Sequence, residues 1–183
     1  MSNIAMQGGA TGTGTVSLVA PSTSTNRTLT LPDATGTVML NATQSVPRTA
    51  LPAGSVLQVV SVNTTLAFST TSGTFSSVGL TASITPTSAT SKILIITQYP
   101  FSTQSSNMTL ATALYRGGSA VLTFNTHYAA AAGYLQTTPS MNYLDSPATT
   151  SSTTYTIYAR VAAGAGTISA DQSSVITLME IAA

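Results

Sequence analysis

The stretch that decides the fold runs Met108-Thr-Leu-Ala-Thr-Ala-Leu-Tyr-Arg116, then Gly117-Gly118, then Ser-Ala-Val-Leu-Thr-Phe124. A glycine pair between two apolar-rich segments is a hairpin signal, because the tightest strand-to-strand turns need φ > 0 at both central positions. Outward from it the same kind of segment recurs. Val56 to Val62 is apolar at five of its seven positions, and Phe75 to Ile84 alternates around Gly79, a candidate bulge. Ile93 to Phe101 is a nearly continuous apolar run interrupted at Pro100. Tyr155 to Val161 and Ile168 flank the turn Gly164-Ala165-Gly166, and Val175 to Ile181 closes the chain. About eight strands at a spacing near ten residues indicate an all-β, jelly-roll-like sandwich. Ala129 to Ala132, which ends at Gly133, supports one helical turn at most.

Composition narrows the class. Of 183 residues, 43% are hydrophobic and only 5% charged, while 35 Thr and 25 Ser supply the polar surface as hydroxyl. A chain of this length holds one ordinary domain and an extension. Five Lys and Arg against four Asp and Glu give a net charge of +1. Arg27, Arg48, Lys92, Arg116 and Arg160 are scattered, so a phosphate backbone finds no basic footprint and nucleic acid is not an expected partner. The longest apolar cluster, Ile93 to Ile96, is strand-sized, and no membrane insertion is expected. The start, Met1-Ser2-Asn3-Ile4, lacks the basic and apolar regions of a secretory signal, which places synthesis in a cytoplasm. With no Cys, stability must come from packing and assembly.

The N-terminal third differs. Residues 1–13 are Gly-rich and read as a docking arm suited to another protein's surface. Residues 14–40 alternate apolar and hydroxyl side chains in three short runs, Val16 and Leu18, Leu29 and Leu31, Val38 and Leu40, separated by turns at Pro21 and at Pro32-Asp33-Ala34-Thr35-Gly36. So few apolar groups do not offset a backbone entropy of roughly 1 to 2 kcal/mol per residue, so the segment needs partners, of which a copy of the chain is the simplest. Residues 41–54, with Pro47 and Pro52, form a linker, and the sandwich occupies 55–183.

The pattern Gly-Thr-Val-x-Leu-x-Ala-Pro followed by Asn-Arg-Thr-Leu-Thr-Leu-Pro-Asp-x-x-Gly-Thr-Val, over 27 residues, resembles the N-terminal module of tail fibres and related appendages of tailed bacteriophages. The phrases Pro52 to Gln58, Tyr155 to Arg160 and Ile176 to Ile181 are similar, more loosely, to the C-terminal β-domains of short viral fibres. The resemblance implies an intertwined homotrimer attached to other virion proteins, with Pro21, Asn26, Leu29, Leu31, Pro32, Asp33, Gly36 and Thr37 as attachment or trimerisation positions. It implies a structural virion component, a short tail fibre contacting the host surface, with a capsid head fibre or decoration protein as the alternative.

Catalytic residues are scarce. His127 is the only histidine and reads as a loop residue without a task. Asp33, Asp145, Asp171 and Glu180 are the whole acid supply, and a polysaccharide depolymerase needs two that face one substrate. With Asp33 in a turn and Glu180 expected to pair with Arg160 or Lys92, no enzyme, metal or cofactor is expected. A binding site is expected in the stretch Phe124 to Pro147, where Tyr128, Tyr134 and Tyr143 stand beside Asn125, Gln136, Asn142 and Asp145, side chains that stack on and hydrogen-bond to a host glycan.

Overall fold

The computed structural model describes residues 24–25, 51–105, 107–129 and 134–183. The chain divides into two units, Met1–Leu40 and Asn41–Ala183, and the account below concerns the second. The expected docking arm, the 14–40 module with Pro21, Asn26, Leu29, Leu31, Pro32, Asp33, Gly36 and Thr37, and most of the linker lie outside the described residues.

Twelve strands follow one another among the described residues: β1 (Val56–Thr65), β2 (Phe68–Thr70), β3 (Ser76–Ile84), β4 (Lys92–Gln98), β5 (Phe101–Thr103), β6 (Met108–Arg116), β7 (Ser119–Ala129), β8 (Leu135–Thr137), β9 (Ser140–Asp145), β10 (Thr153–Ala163), β11 (Ile168–Ala170) and β12 (Ser173–Ile181). All pairing is antiparallel. One sheet runs β1-β12-β4-β9, a short one β2-β11-β5-β8, and the opposing one β3-β10-β6-β7. The first two have the same order because each long run crosses both, bending at the two-residue breaks 66–67, 171–172, 99–100 and 138–139. Pro100 and Pro139 sit in two of these breaks, where a residue without an N–H cannot donate to a ladder. Leu66 N–H to Gln172 O (3.2 Å) and Tyr99 N–H to Pro139 O (3.1 Å) hold the strands together across the bend. Eight runs in two four-stranded layers result, a jelly-roll sandwich.

The core lies between the layers because each strand buries alternate residues. Val78, Leu80, Ala82 and Ile84 of β3, and Tyr155, Ile157, Ala159 and Val161 of β10, face Ile93 and Ile95 of β4 and Ile176 and Leu178 of β12. Toward the bend, Tyr99 and Phe101 meet edge to face at 5.6 Å, and the Tyr99 hydroxyl donates to Thr112 Oγ1 at 3.1 Å. Burial pushes the Tyr99 pKa up, so the phenol stays a donor.

The central hairpin is β6–β7. Arg116 pairs with Ser119, and φ is +55° at Gly117 and +91° at Gly118, the signature of a type I′ turn. Gly79 marks a register shift in β3 against β10, as its isolated position in the strand implies. Three differences from the sequence reading have physical causes. Phe68–Thr70 and Leu135–Thr137 are strands too short to show a period, supported by the runs they continue. Ala129 ends β7 rather than starting a helical turn, and Ala130 to Ala132 lie outside the described residues. The stretch Phe124 to Pro147, with His127, reads from sequence as a loop region; instead β7 runs on to Ala129 with His127 paired to Leu110, and Ser140–Asp145 is the edge strand β9, its alternation obscured because it buries Asp145 and exposes Leu144.

Candidate functional site

Chain entry and chain end lie together. Gly54 N–H donates to Ala182 O at 2.8 Å, and Ala182 N–H to Ser55 O at 2.9 Å. From there β1 runs ten residues, roughly 33 Å at the usual rise, so the bent short sheet sits at the opposite end with the turns after β2, β5, β7 and β10. The outward residues of that short sheet form one row across four strands, Ser69, Ser169, Ser102 and Gln136. Beside it opens a cleft of about 270 Å³ lined by Ser102, Thr103, Gln104, Ser105, Tyr134, Thr167 and Ser169. Its lining carries hydroxyls, one amide and one ring, with no charge, and the Tyr134 ring is 62% exposed. Local turn chemistry shapes the wall: Ser105 N–H donates to Thr103 Oγ1 at 3.1 Å. The Tyr128 hydroxyl, at the same end, donates to Asn107 Oδ1 at 3.0 Å.

Of the residues expected to bind a glycan, the structure brings Tyr134 to the cleft, with Tyr128 and Gln136 at the same end. The others are elsewhere. Tyr143 faces inward and packs on the core. Asn142 faces outward on the long sheet, opposite Ile96. Asn125 pairs with Ala111 in β7, and its side chain, like that of His127, lies outside the description. Asp145 is 5% exposed and accepts from Arg116 Nη1 at 2.9 and 2.7 Å and from the Tyr155 hydroxyl at 2.6 Å. This cluster clasps β9 of one layer to β6 and β10 of the other. Asp145 raises the Arg116 pKa further, and burial, reinforced by Asp145, raises that of Tyr155, so Arg116 stays a cation and the Tyr155 phenol stays a donor.

Glu180 pairs with neither Arg160 nor Lys92. It is fully buried and accepts from Thr87 N–H and Oγ1, both at 2.7 Å, and from Gln58 Nε2 at 2.6 Å. Burial alone would raise its pKa, and the donated hydrogen bonds outweigh that and lower it. Arg160 instead lies on the outer face of the opposing layer, 5.0 Å from the Phe75 ring centre, where Tyr115 and Tyr158 stack at 3.9 Å. With Asp145 and Glu180 both engaged in packing, the described residues hold no pair of free carboxylates facing one substrate. Nor do they hold a cluster of three or more metal-ligating side chains, or a helix long and apolar enough to cross a membrane.

The sequence reading missed Ser102, Thr103, Gln104, Ser105, Thr167 and Ser169. Their signal was present as hydroxyl density beside Pro100 and beside the Gly164–Gly166 turn, and it was lost in a chain where every segment is rich in Thr and Ser.

No family model matches the chain, and no curated protein matches it. Among solved structures it is similar to that of infectious bursal disease virus Gx strain, at 18% identity and a TM-score of 0.45, over 78% of this chain and 42% of that one. Similarity to T=1 particles derived from infectious bursal virus is at 16% identity and 0.46, over 78% and 40%. That to infectious bursal disease virus Gt strain is at 16% and 0.46, over 78% and 42%. The chain spans about two fifths of the length of these proteins. With TM-scores below 0.5, nothing is carried over from them.

Proposed function

We propose that the chain is a structural component of a virion, a short trimeric fibre whose N-terminal residues hold it to other virion proteins and whose β-domain contacts a neutral glycan of the host surface. The observation that carries this reading is the polarity of the domain. Chain entry lies at one end, beside a cleft of about 310 Å³ lined by Thr87, Ser88, Thr90 and Ser91 that holds no aromatic ring, and the uncharged cleft that sets the exposed Tyr134 ring beside hydroxyls lies at the other. The resemblance of residues 14–40 to fibre attachment modules supports the virion assignment. Sugar hydroxyls are matched by Ser, Thr and Gln side chains, and a flat sugar face by a tyrosine ring. The second reading, a capsid decoration, is favoured by the eight-run jelly roll, an architecture that viral shell domains share.

Purified particles in which this chain is labelled test both. Label along a tail supports the fibre, label over the shell supports the decoration, and no label on any particle overturns the virion assignment. Deleting residues 1–13 should leave a soluble oligomer missing from particles, and normal occupancy of the deleted form would refute the docking arm.

A further inference from the structure

The outward faces of the two layers differ in kind. On the β3-β10-β6-β7 layer the outer residues engage one another along the sheet: Ser83 bonds Thr154 at 2.7 Å, Thr81 bonds Thr156 at 2.9 Å, Tyr115 stacks on Tyr158 and Phe75 meets Tyr115 edge-on. Among the described residues the other layer has one such pair on its outer face, Ser61 with Thr177 at 3.0 Å. On the β1-β12-β4-β9 layer one row crosses all four strands, Val59, Met179, Leu94 and Leu144, each paired with the next. Ile96 lies one step further along. Val59 is 55%, Leu144 49% and Ile96 42% exposed. Lys92, at the entry end, is the single charged residue facing outward on these four strands.

We infer that this apolar face is the contact between copies of the β-domain, an inference that rests on the homo-oligomer reading above. Val59, Leu144 and Ile96 are exposed and Met179 and Leu94 half-buried, so five apolar side chains adjoin with no charge among them, the kind of contiguous patch that marks interaction sites. Four strands about 4.8 Å apart and up to nine residues of about 3.4 Å give an outward face of about 600 Å² in plan, approaching the roughly 800 Å² per partner of a standard interface. Its entry half carries the apolar row, and its far half, with Ser61, Thr177, Asn142, Asn63, Gln98 and Ser140, supplies the polar margin that surrounds an apolar interface centre. Charge selects the occupant. A face with one peripheral lysine offers a different protein nothing electrostatic to recognise, whereas copies of the same chain meet it without like-charge repulsion at its centre. The same sheet side turns polar beyond that row, at Ser61, Thr177 and Asn142, and stays polar past the bend at Ser69, Ser169, Ser102 and Gln136, so copies packed along the apolar row leave the cleft open.

The test uses the full chain with a benzophenone side chain placed at position 96, and at position 134 as the control, sedimented and then irradiated. A product of twice the chain mass from position 96, with little from position 134, is the expected result. No such product from an oligomer would overturn this face while leaving the homo-oligomer standing. A folded monomer would overturn both. Because the probe itself perturbs the face, Ile96→Glu with Leu144→Glu supplies a second measurement. It should raise the concentration at which copies dissociate at least tenfold, and an unchanged value would overturn the inference.

Discussion

At the scale of single residues, the buried acids act as fasteners. Asp145 takes three hydrogen bonds from two strands of the opposing layer, so Asp145→Asn leaves the Tyr155 and Arg116 donors poorly matched. It should cost about 2 to 3 kcal/mol in urea unfolding, since bonds to a buried charge contribute more than neutral ones. Arg116 itself is one-third exposed, and Arg116→Ala should cost less than the loss of the carboxylate. Glu180 gives the molecule a pH dependence whose sign is fixed. Its folded pKa lies below the unfolded value of 4.5, so its contribution is complete above pH 4.5 and is lost as pH falls through the lower folded value. Urea midpoints measured from pH 3 to 7 should fall more steeply below pH 4.5 in the parent chain than in Glu180→Gln. Parallel acid limbs would show that the carboxylate contributes nothing there.

Elements show what a sequence of this composition reveals and what it hides. The strands with a strong period or a flanking glycine signal, β3, β6 with β7, β10 and β12, were legible because β3, β10 and β12 bury alternate residues and β6 and β7 flank a glycine pair. The hairpin at Gly117-Gly118 was legible for a different reason, since its two positive φ values leave little choice of residue. What was not legible is the bend. Four breaks lie side by side only after the strands have paired, and the three-residue strands beyond it have too few side chains to declare a face. The site was half legible for the same reason: Tyr134 stands out in the sequence, but its neighbours at 102–105, 167 and 169 come from runs that pairing alone brings together. Gly164 shows how tightly the cleft end is closed. A Cβ there would lie 2.1 Å from the backbone carbonyl oxygen of Asn107, at a φ of +81°. Gly164→Ala should therefore cost about 2 kcal/mol or more, because strain and backbone displacement add. Increased amide exchange around Asn107 and Tyr128, with the entry end unchanged, would locate the damage at this end.

For the whole molecule, the separation of entry, lateral face and far cleft makes a sharp distinction between two tyrosines that look alike in sequence. Tyr134 is an exposed ring on the cleft, while Tyr143, nine positions on, faces the core opposite Ile95. Truncating a packed aromatic costs about 3 to 5 kcal/mol when it is fully buried, and Tyr143, being partly exposed, should lose somewhat less. Tyr143→Ala should therefore lower the melting temperature and reduce surface binding only in proportion to unfolding. Tyr134→Ala should leave melting unchanged and weaken binding to cells or to a neutral polysaccharide. Each cleft is shallow and uncharged, so its affinity alone is expected to be weak. Copies joined along the Val59–Leu144 row, as proposed above, and arranged about one axis parallel to the strands would present several clefts at one end, and multivalency then turns weak sites into firm attachment without new contacts. The loss on Tyr134→Ala should then be much larger for the intact oligomer than for Ile96→Glu/Leu144→Glu chains that have come apart, because avidity multiplies a per-site defect. An equal loss in both forms would mean that the clefts act singly, and no loss in either would leave the protein a shell component with no host contact at this end.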